Sequence, residues 1–476
     1  MKKIFYLLLP VLLITAACTK NISRFNEETK KPASVPAGTL FSKATKTLAD
    51  GLDDASVNTN VFRFTVKHWA MSTYQDEAQY DFTTRAIPQS WWTRMYRDVL
   101  INFQESNKII TADLTLDAGV KANQQAIIDI MEVYTYSILV NTFGNVPYTE
   151  ALDPIKLFPK YDDAKTVYTD LLKRLAADIG KLNTANAGFS SSEDLIYKGV
   201  VAGWVKFGSS LQMKMGMIIA DADATAAKTA VESADAKAIA SAADNAQMPY
   251  LAASPNTSPL YTDIVLGGRQ DYVAAKDLMD QLVTLSDPRK PNFFGTNNSG
   301  AYAGGVVGAS NTFSDMSKPG SKVYAPDAPL IFSDYVETEF FRAEAIERGF
   351  TVAGTAQQHY NNAITASIIA WGGTATDAST YLAQASVAYA TAAGTYKQKI
   401  GFQKWIAMFN RPFEGWTELR RLDFPVLTPP VAAKSGFPNR FTYPGNEQQL
   451  NGTNYTDAAA KMGGDKVENK LFWDKF

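Results

Sequence analysis

The chain changes period several times along its length. Lys2-Lys3 comes first, followed by a largely apolar stretch from Phe5 to Ala17. That stretch is shorter than the roughly 20 residues a membrane-spanning helix needs. A basic start, an apolar middle and small residues at its end are the marks of a secretory signal. The polar stretch that follows, with Lys30-Lys31-Pro32 and Val35-Pro36, has no helical period and reads as a flexible tether. Helical spacing begins near Thr39, with Leu40, Ala44, Leu48 and Leu52 four residues apart. Between Met71 and Gln89 the period is lost, and aromatics alternate irregularly with Ser, Thr, Gln, Asp and Glu. This reads as a partly exposed loop. The helical pattern returns from Gln89 to Ile110.

Further helices are expected over Asn123–Thr142, Asp163–Leu182, Leu195–Ala220 and Asp334–Arg348, with a last block over Phe402–Phe409 and Trp416–Arg421. Gly144 and Pro147 stop the first of them. In the second, Ala164, Tyr168 and Leu171 follow the spacing of the second helix of a tetratricopeptide unit, and Ala356, Tyr360 and Ala363 repeat it. Small residues let helices approach closely, and the aromatic fills the groove beside them. Unrelated amphipathic helices remain the alternative on spacing alone. Residues 221–247 are rich in Ala, with Asp and Lys between, and suit a solvated helix or hairpin. Residues 295–328, rich in Gly, Ser, Asn and Pro, form a long irregular insertion, and such loops often carry function. The tail Phe437–Phe476 is loop-rich and is expected to wrap the helical body.

Hydrophobic residues make up 46% and charged residues 20%, as in folded globular chains. The net charge is −2, with Lys and Arg spread along the chain, so no basic stripe marks a nucleic-acid binder. Two histidines, His68 and His359, rule out a multi-His metal site and read as structural or solvated. Aromatics reach 12%, and besides filling cores they are platforms for sugars and peptides. No G-x-S-x-G elbow or H-E-x-x-H motif occurs. Asp76 and Glu77 suit Ca²⁺ in donor type, but no D-x-D-x-D-G loop surrounds them, so no metal or cofactor is expected.

Cys18 is the only cysteine. Its place after Ile14-Thr15-Ala16-Ala17 looks like a bacterial lipoprotein signal, in which the cysteine is lipidated; an ordinary cleaved signal is the alternative. The expected division is a signal over 1–17, a tether over 18–38 and one folded domain over 39–476. Without a second cysteine the fold must be held by packing alone.

Phrases spread through the chain carry a resemblance. They include Phe143-Gly-Asn-Val-Pro-Tyr-Thr-Glu-Ala151, Pro159-Lys-Tyr-Asp162, Trp204-Val-Lys-Phe-Gly-Ser-Ser-Leu211 and Asp287-Pro-Arg289. Phe341-Arg-Ala-Glu-Ala345, Gln403-Lys-Trp405, Trp416-Thr-Glu-Leu-Arg-Arg421, Tyr443-Pro444 and Leu471-Phe-Trp473 follow. In this order they resemble the SusD/RagB-like nutrient-binding lipoproteins of the outer membrane. The resemblance implies a mostly α, SusD-like fold of four tetratricopeptide-like helix pairs with a packed loop-rich subdomain. It also implies a non-catalytic surface protein that captures oligosaccharide or peptide for a SusC-like TonB-dependent transporter. The alternatives are a surface glycosidase, which needs only two carboxylates, and a helical lipoprotein that binds only a protein partner.

Sugar faces stack on rings held in shallow grooves, and hydroxyls need polar partners. Two stretches have that composition, and they supply the ligand-binding candidates Trp69, Tyr74, Tyr80 and Trp91, then Tyr302 and Phe313. For each of them burial in the core competes with this role. Trp92, Trp204, Trp371, Trp405 and Trp416 lie on helical periods and are expected in the core. Arg420-Arg421 suits a helix-end ion pair. Asp287-Pro-Arg289 suits a helix-ending turn with a structural ion pair.

Overall fold

The computed structural model describes residues 35–56 and 61–476. The expected signal, Cys18 and most of the tether lie outside the described residues. Helix α1 (Ala37–Asp53) starts behind Pro36 and buries Phe41, Ala44, Leu48 and Leu52. Helix α2 (Ile87–Thr93) runs without a break through a π-helical stretch, Arg94–Leu100, into α3 (Ile101–Ala112). The wider turn keeps Trp91 before it, Met95 within it, and Phe103 and Ile110 after it, all in the core.

Four antiparallel-type helix pairs follow: α4 (Ala118–Phe143) with α5 (Ala164–Lys181), α6 (Val201–Ile218) with α7 (Ala224–Ala234), α8 (Tyr335–Glu347) with α9 (Ala356–Ala370), and α10 (Tyr396–Ala407) with α11 (Pro412–Leu422). Side-chain caps set most of their starts. Asp117, Asp163, Asp223, Asp334 and Thr355 each accept an N–H of the first turn, and Thr395 forms a capping box with Gln398. Each cap is worth about 1 kcal/mol. The repeated spacing meets its expectation: Ala164, Tyr168 and Leu171 in α5, and Ala356, Tyr360 and Ala363 in α9, are all buried. Helix α6 starts later than its apolar pattern suggests. The Asp194 carboxylate accepts the N–H groups of Ile196, Tyr197 and Gly199 and the Trp204 indole, which fixes a turn where the period alone predicts helix.

Charges tie the second, third and fourth pairs together. Arg411 reaches Glu337 at 2.7 Å and Asp334 at 3.0 Å, and Lys214 of α6 reaches Glu337 at 3.3 Å and also pairs with Glu414. Arg421 grips Glu344 of α8 and Glu418 of its own helix, while Lys404 of α10 reaches Glu418 at 3.0 Å. Among the described residues Arg420 has no such pair. Its guanidinium lies 3.5 Å from the Trp416 ring centroid and 5.0 Å from that of Trp473, and it donates to the Asn141 and Asn439 carbonyls at 2.8 Å. Burial brings its pKa down to about 9. The tail does wrap the body: Trp473 is buried and donates to Asn141 Oδ1 at 3.0 Å.

The loop-rich half packs on this stack around two short antiparallel ribbons. Strand β1 (Trp69–Met71) pairs with β3 (Tyr272–Ala274), placing Trp69 opposite Ala274 and Met71 opposite Tyr272. Strand β2 (Ala246–Met248) pairs with β4 (Leu330–Ser333). Arg289 and Asp287 form the expected turn ion pair, fully buried, with a contact of 2.6 Å. His68 is buried against the Trp405 carbonyl, and His359 sits between Glu339 and the Ala353 carbonyl.

Candidate binding face

The β1–β3 ribbon is the frame of the candidate site. Ser72 continues the ladder by donating its N–H to the Asp271 carbonyl at 2.8 Å, and its hydroxyl donates to the Gln270 carbonyl at 3.3 Å. The long insertion docks on the same frame. Ala274 donates to the Ser317 carbonyl, Gly305 donates to the Ala274 carbonyl, and Ser317 donates to the Ala303 carbonyl, each at 2.8 Å. Asn311 fastens its far end by donating from Nδ2 to the Met71 carbonyl at 2.8 Å. The loops after Met71, before Tyr272 and across 303–319 therefore share one face.

On that face lies an open depression of about 240 Å³, lined by Arg269, Gln270, Phe313, Lys318 and Tyr324, with the buried Tyr272 beneath. Phe313 and Tyr324 are half-buried, so part of each ring stays open. Arg269 is held in place by Asp271, with Nε 3.0 Å from Oδ1, and its guanidinium lies 4.7 Å from the Tyr272 ring centroid. The Asp271 hydrogen bond keeps the Arg269 cation firmly protonated. The Lys318 ammonium sits 5.0 Å from the Phe313 centroid and donates to Asn298 Oδ1 at 3.1 Å. Open rings beside fixed donors suit stacking and hydroxyl recognition. Among the described residues lining the depression none carries a carboxylate.

The six expected ligand residues divide into two groups. Phe313 lines the depression. Tyr74 is 57% exposed, two residues beyond Ser72 on the loop beside the Gln270 rim, with φ of +59°. A tyrosine held in the left-handed region is presented at some conformational cost. The Arg85 guanidinium lies 5.7 Å from its ring centroid. Tyr302 is half-buried on the insertion, 4.7 Å from the Lys290 ammonium, outside the depression itself. Trp69, Tyr80 and Trp91 belong to the core. Trp69 packs on Tyr272 and under Arg63, Tyr80 meets Phe437 edge-on, and Trp91 lies between Phe62 and Phe413. Each is at most 4% exposed and offers no free face.

Tyr324 closes the second ring-bearing stretch, Tyr302–Tyr324, but sequence reasoning did not offer it as a ligand residue, and Arg269, Gln270 and Lys318 were not singled out. The polar run Gly268-Arg269-Gln270-Asp271 directly before an apolar strand was the available signal. Asp76 and Glu77 are engaged by Arg85, and no cluster of three metal-ligating side chains occurs among the described residues.

A family model described as SusD-like, starch-binding and associating with the outer membrane matches residues 29–444. No curated protein sequence matches the chain. Among solved structures, a SusD homologue from Bacteroides uniformis is similar at 24% identity and a TM-score of 0.77, over 92% of this chain and 99% of that one. A chitin-binding SusD homologue from Flavobacterium johnsoniae is 22% identical, with a TM-score of 0.78, over 92% and 98% of the two chains. A SusD homologue from Bacteroides thetaiotaomicron is 21% identical, also with a TM-score of 0.78, over 93% and 100%. At these identities the likeness is one of fold.

Proposed function

The chain belongs to the SusD-like family, and on that premise we propose that it is a non-catalytic surface lipoprotein that captures oligosaccharide. The observation that carries this reading is the depression itself, with Phe313 and Tyr324 open, Arg269 and Lys318 fixed beside them, and no carboxylate in its lining. Tyr74 and Tyr302, on loops carried by the same frame, extend the platform. Stacked rings hold a glycan at low ordering cost because they are already in place. The captured glycan passes to a SusC-like TonB-dependent transporter in the outer membrane. Residues 39–476 form the binding domain, 1–17 the signal, and 18–38 the tether from a lipid on Cys18. Among the described residues no helix is long and apolar enough to cross a membrane, which is compatible with attachment through a lipid.

Calorimetric titration with maltoheptaose, chitohexaose and a peptide pool tests the site, using the wild-type protein and a Phe313→Ala/Tyr324→Ala variant. A glycan is expected to bind, with about tenfold weaker affinity for each ring removed. Binding of peptides alone would replace the glycan reading. Equal glycan affinity in the two proteins would move the site elsewhere.

A further inference from the structure

The proposed glycan site has a charge bias that its rings alone do not require. Its charged lining residues are Arg269 and Lys318, both cations. Among the described residues the Lys318 ammonium has no acidic partner, and its one hydrogen bond goes to the neutral Asn298 amide oxygen. The next ring along the insertion repeats the arrangement. The Lys290 ammonium stands 4.7 Å from the Tyr302 centroid and likewise forms no ion pair among the described residues. Tyr74 also has a cation beside it, but Arg85 is engaged by Asp76 and Glu77 and adds nothing to the bias.

The carboxylates of the neighbourhood stay out of the lining. Asp271 is buried and gives both oxygens to Arg269 Nε and Nη2, which leaves Nη1 free to donate. Asp263 is half-buried, and burial raises its carboxyl to about 6. Asp315 is exposed three residues before Lys318, with its Oδ1 on the Ser314 hydroxyl at 2.9 Å. None of the three lines the depression.

The donor inventory points the same way. Arg269 and Lys318 can only donate, and the Gln270 amide and Tyr324 hydroxyl are the open side chains of the lining able to accept. A neutral sugar presents hydroxyls that donate as well as accept, and such sites need acceptors to match. A carboxylate or sulfate only accepts, and its hydrogen bonds to cations are the stronger kind. The Lys318 ammonium is 5.0 Å from the Phe313 centroid, close enough to meet an acidic group at the rim of a pyranose stacked on that ring.

We propose that this face selects an acidic oligosaccharide, whose anionic groups meet Lys318, Lys290 and Arg269 Nη1 while its rings stack on Phe313 and Tyr302. This rests on the reading of the face as a glycan site and narrows it to a class of glycan.

Pairs of oligosaccharides that differ only in charge test it: hexagalacturonate with its methyl ester, and a κ-carrageenan hexasaccharide with its desulfated form. Calorimetric titration at about 50 mM NaCl is expected to show the acidic member of at least one pair binding about tenfold more tightly than the neutral one. Which pair responds separates carboxylate from sulfate. At about 500 mM NaCl the ratio should fall below about threefold, because exposed charges are screened. A Lys318→Gln/Lys290→Gln variant should show a ratio that low already at low salt. Equal affinities within both pairs, tighter binding of the neutral members, or binding of maltoheptaose or chitohexaose but of neither acidic oligosaccharide would overturn the inference and leave the glycan site standing. Retention of the preference in the folded double variant overturns it as well. Failure of every glycan to bind would refute the glycan site itself.

Discussion

Replacing Arg421 by Met removes one cation from the charge network that joins the third and fourth helix pairs. The guanidinium is buried and contacts Glu344 at 2.5 and 2.6 Å and Glu418 at 2.6 Å. Breaking a buried pair by deleting one partner costs about 3–5 kcal/mol, because the surviving charge stays in a poor solvent. Here neither carboxylate is left alone. Glu418 keeps Lys404 at 3.0 Å, and Glu344 keeps Arg348 at 2.8 Å. The expected loss is therefore at the lower end, about 3 kcal/mol. At this chain length that lowers Tm by about 3 °C. Urea unfolding followed by tryptophan fluorescence measures it directly, and saccharide titration checks that the candidate binding face is intact. A double-mutant cycle with Glu344→Gln should show the two changes to be non-additive by more than about 1 kcal/mol. A loss under about 0.5 kcal/mol, or simple additivity, would refute the claim that these charges hold the helix pairs together.

Glu344 also sets an acid limit. Burial pushes its carboxyl upward, but the Arg421 charge prevails and holds it at about 2, below its ordinary 4.5. The stabilisation this brings, about 3 kcal/mol, is present above pH 4.5 and fades as pH falls toward 2; Glu344→Gln should flatten that part of the stability profile. Trp473→Ala should cost about 3–5 kcal/mol and release the tail to carboxypeptidase, since the ring is buried and anchored to Asn141. Cys18→Ala should leave saccharide affinity unchanged and shift the protein out of the membrane fraction, as measured by fractionation and titration. Loss of affinity in that variant would show that tether and binding domain are not separable.

The helical half was legible because its signals are local. The Asp163 cap sits within three residues of the group it satisfies, at the start the pattern predicts, and the Ala164–Tyr168–Leu171 spacing needs only one helix to be recognised; the Thr395 cap starts α10 ahead of the Phe402 that periodicity marks. The candidate binding face was legible only in part. Its frame is a ribbon of three residues on each strand, too short to show a period, and its partners stand about two hundred residues apart. Composition marked Phe313 and Tyr74 but does not separate an open ring from a buried one. Trp69 and Tyr80 share that composition and lie in the core because Tyr272 and Phe437 cover them. Trp371 erred in the other direction: its spacing fits a buried face, but the helix ends one residue before it, and the ring stands at a cavity wall.

The π-helical stretch Arg94–Leu100 fixes how the two ends of that rod are phased. In an α-helix each residue turns the next by about 100°. A π turn absorbs extra chain, so α3 meets the core with Phe103, Ser106 and Ile110 only because the surplus is kept. Deleting one residue between Arg94 and Leu100 would restore regular hydrogen bonding and so improve the helix locally. It would also rotate everything downstream, swinging Phe103 and Ile110 away from α1 while α2 stayed seated. The region then tolerates substitution far better than it tolerates a change of length.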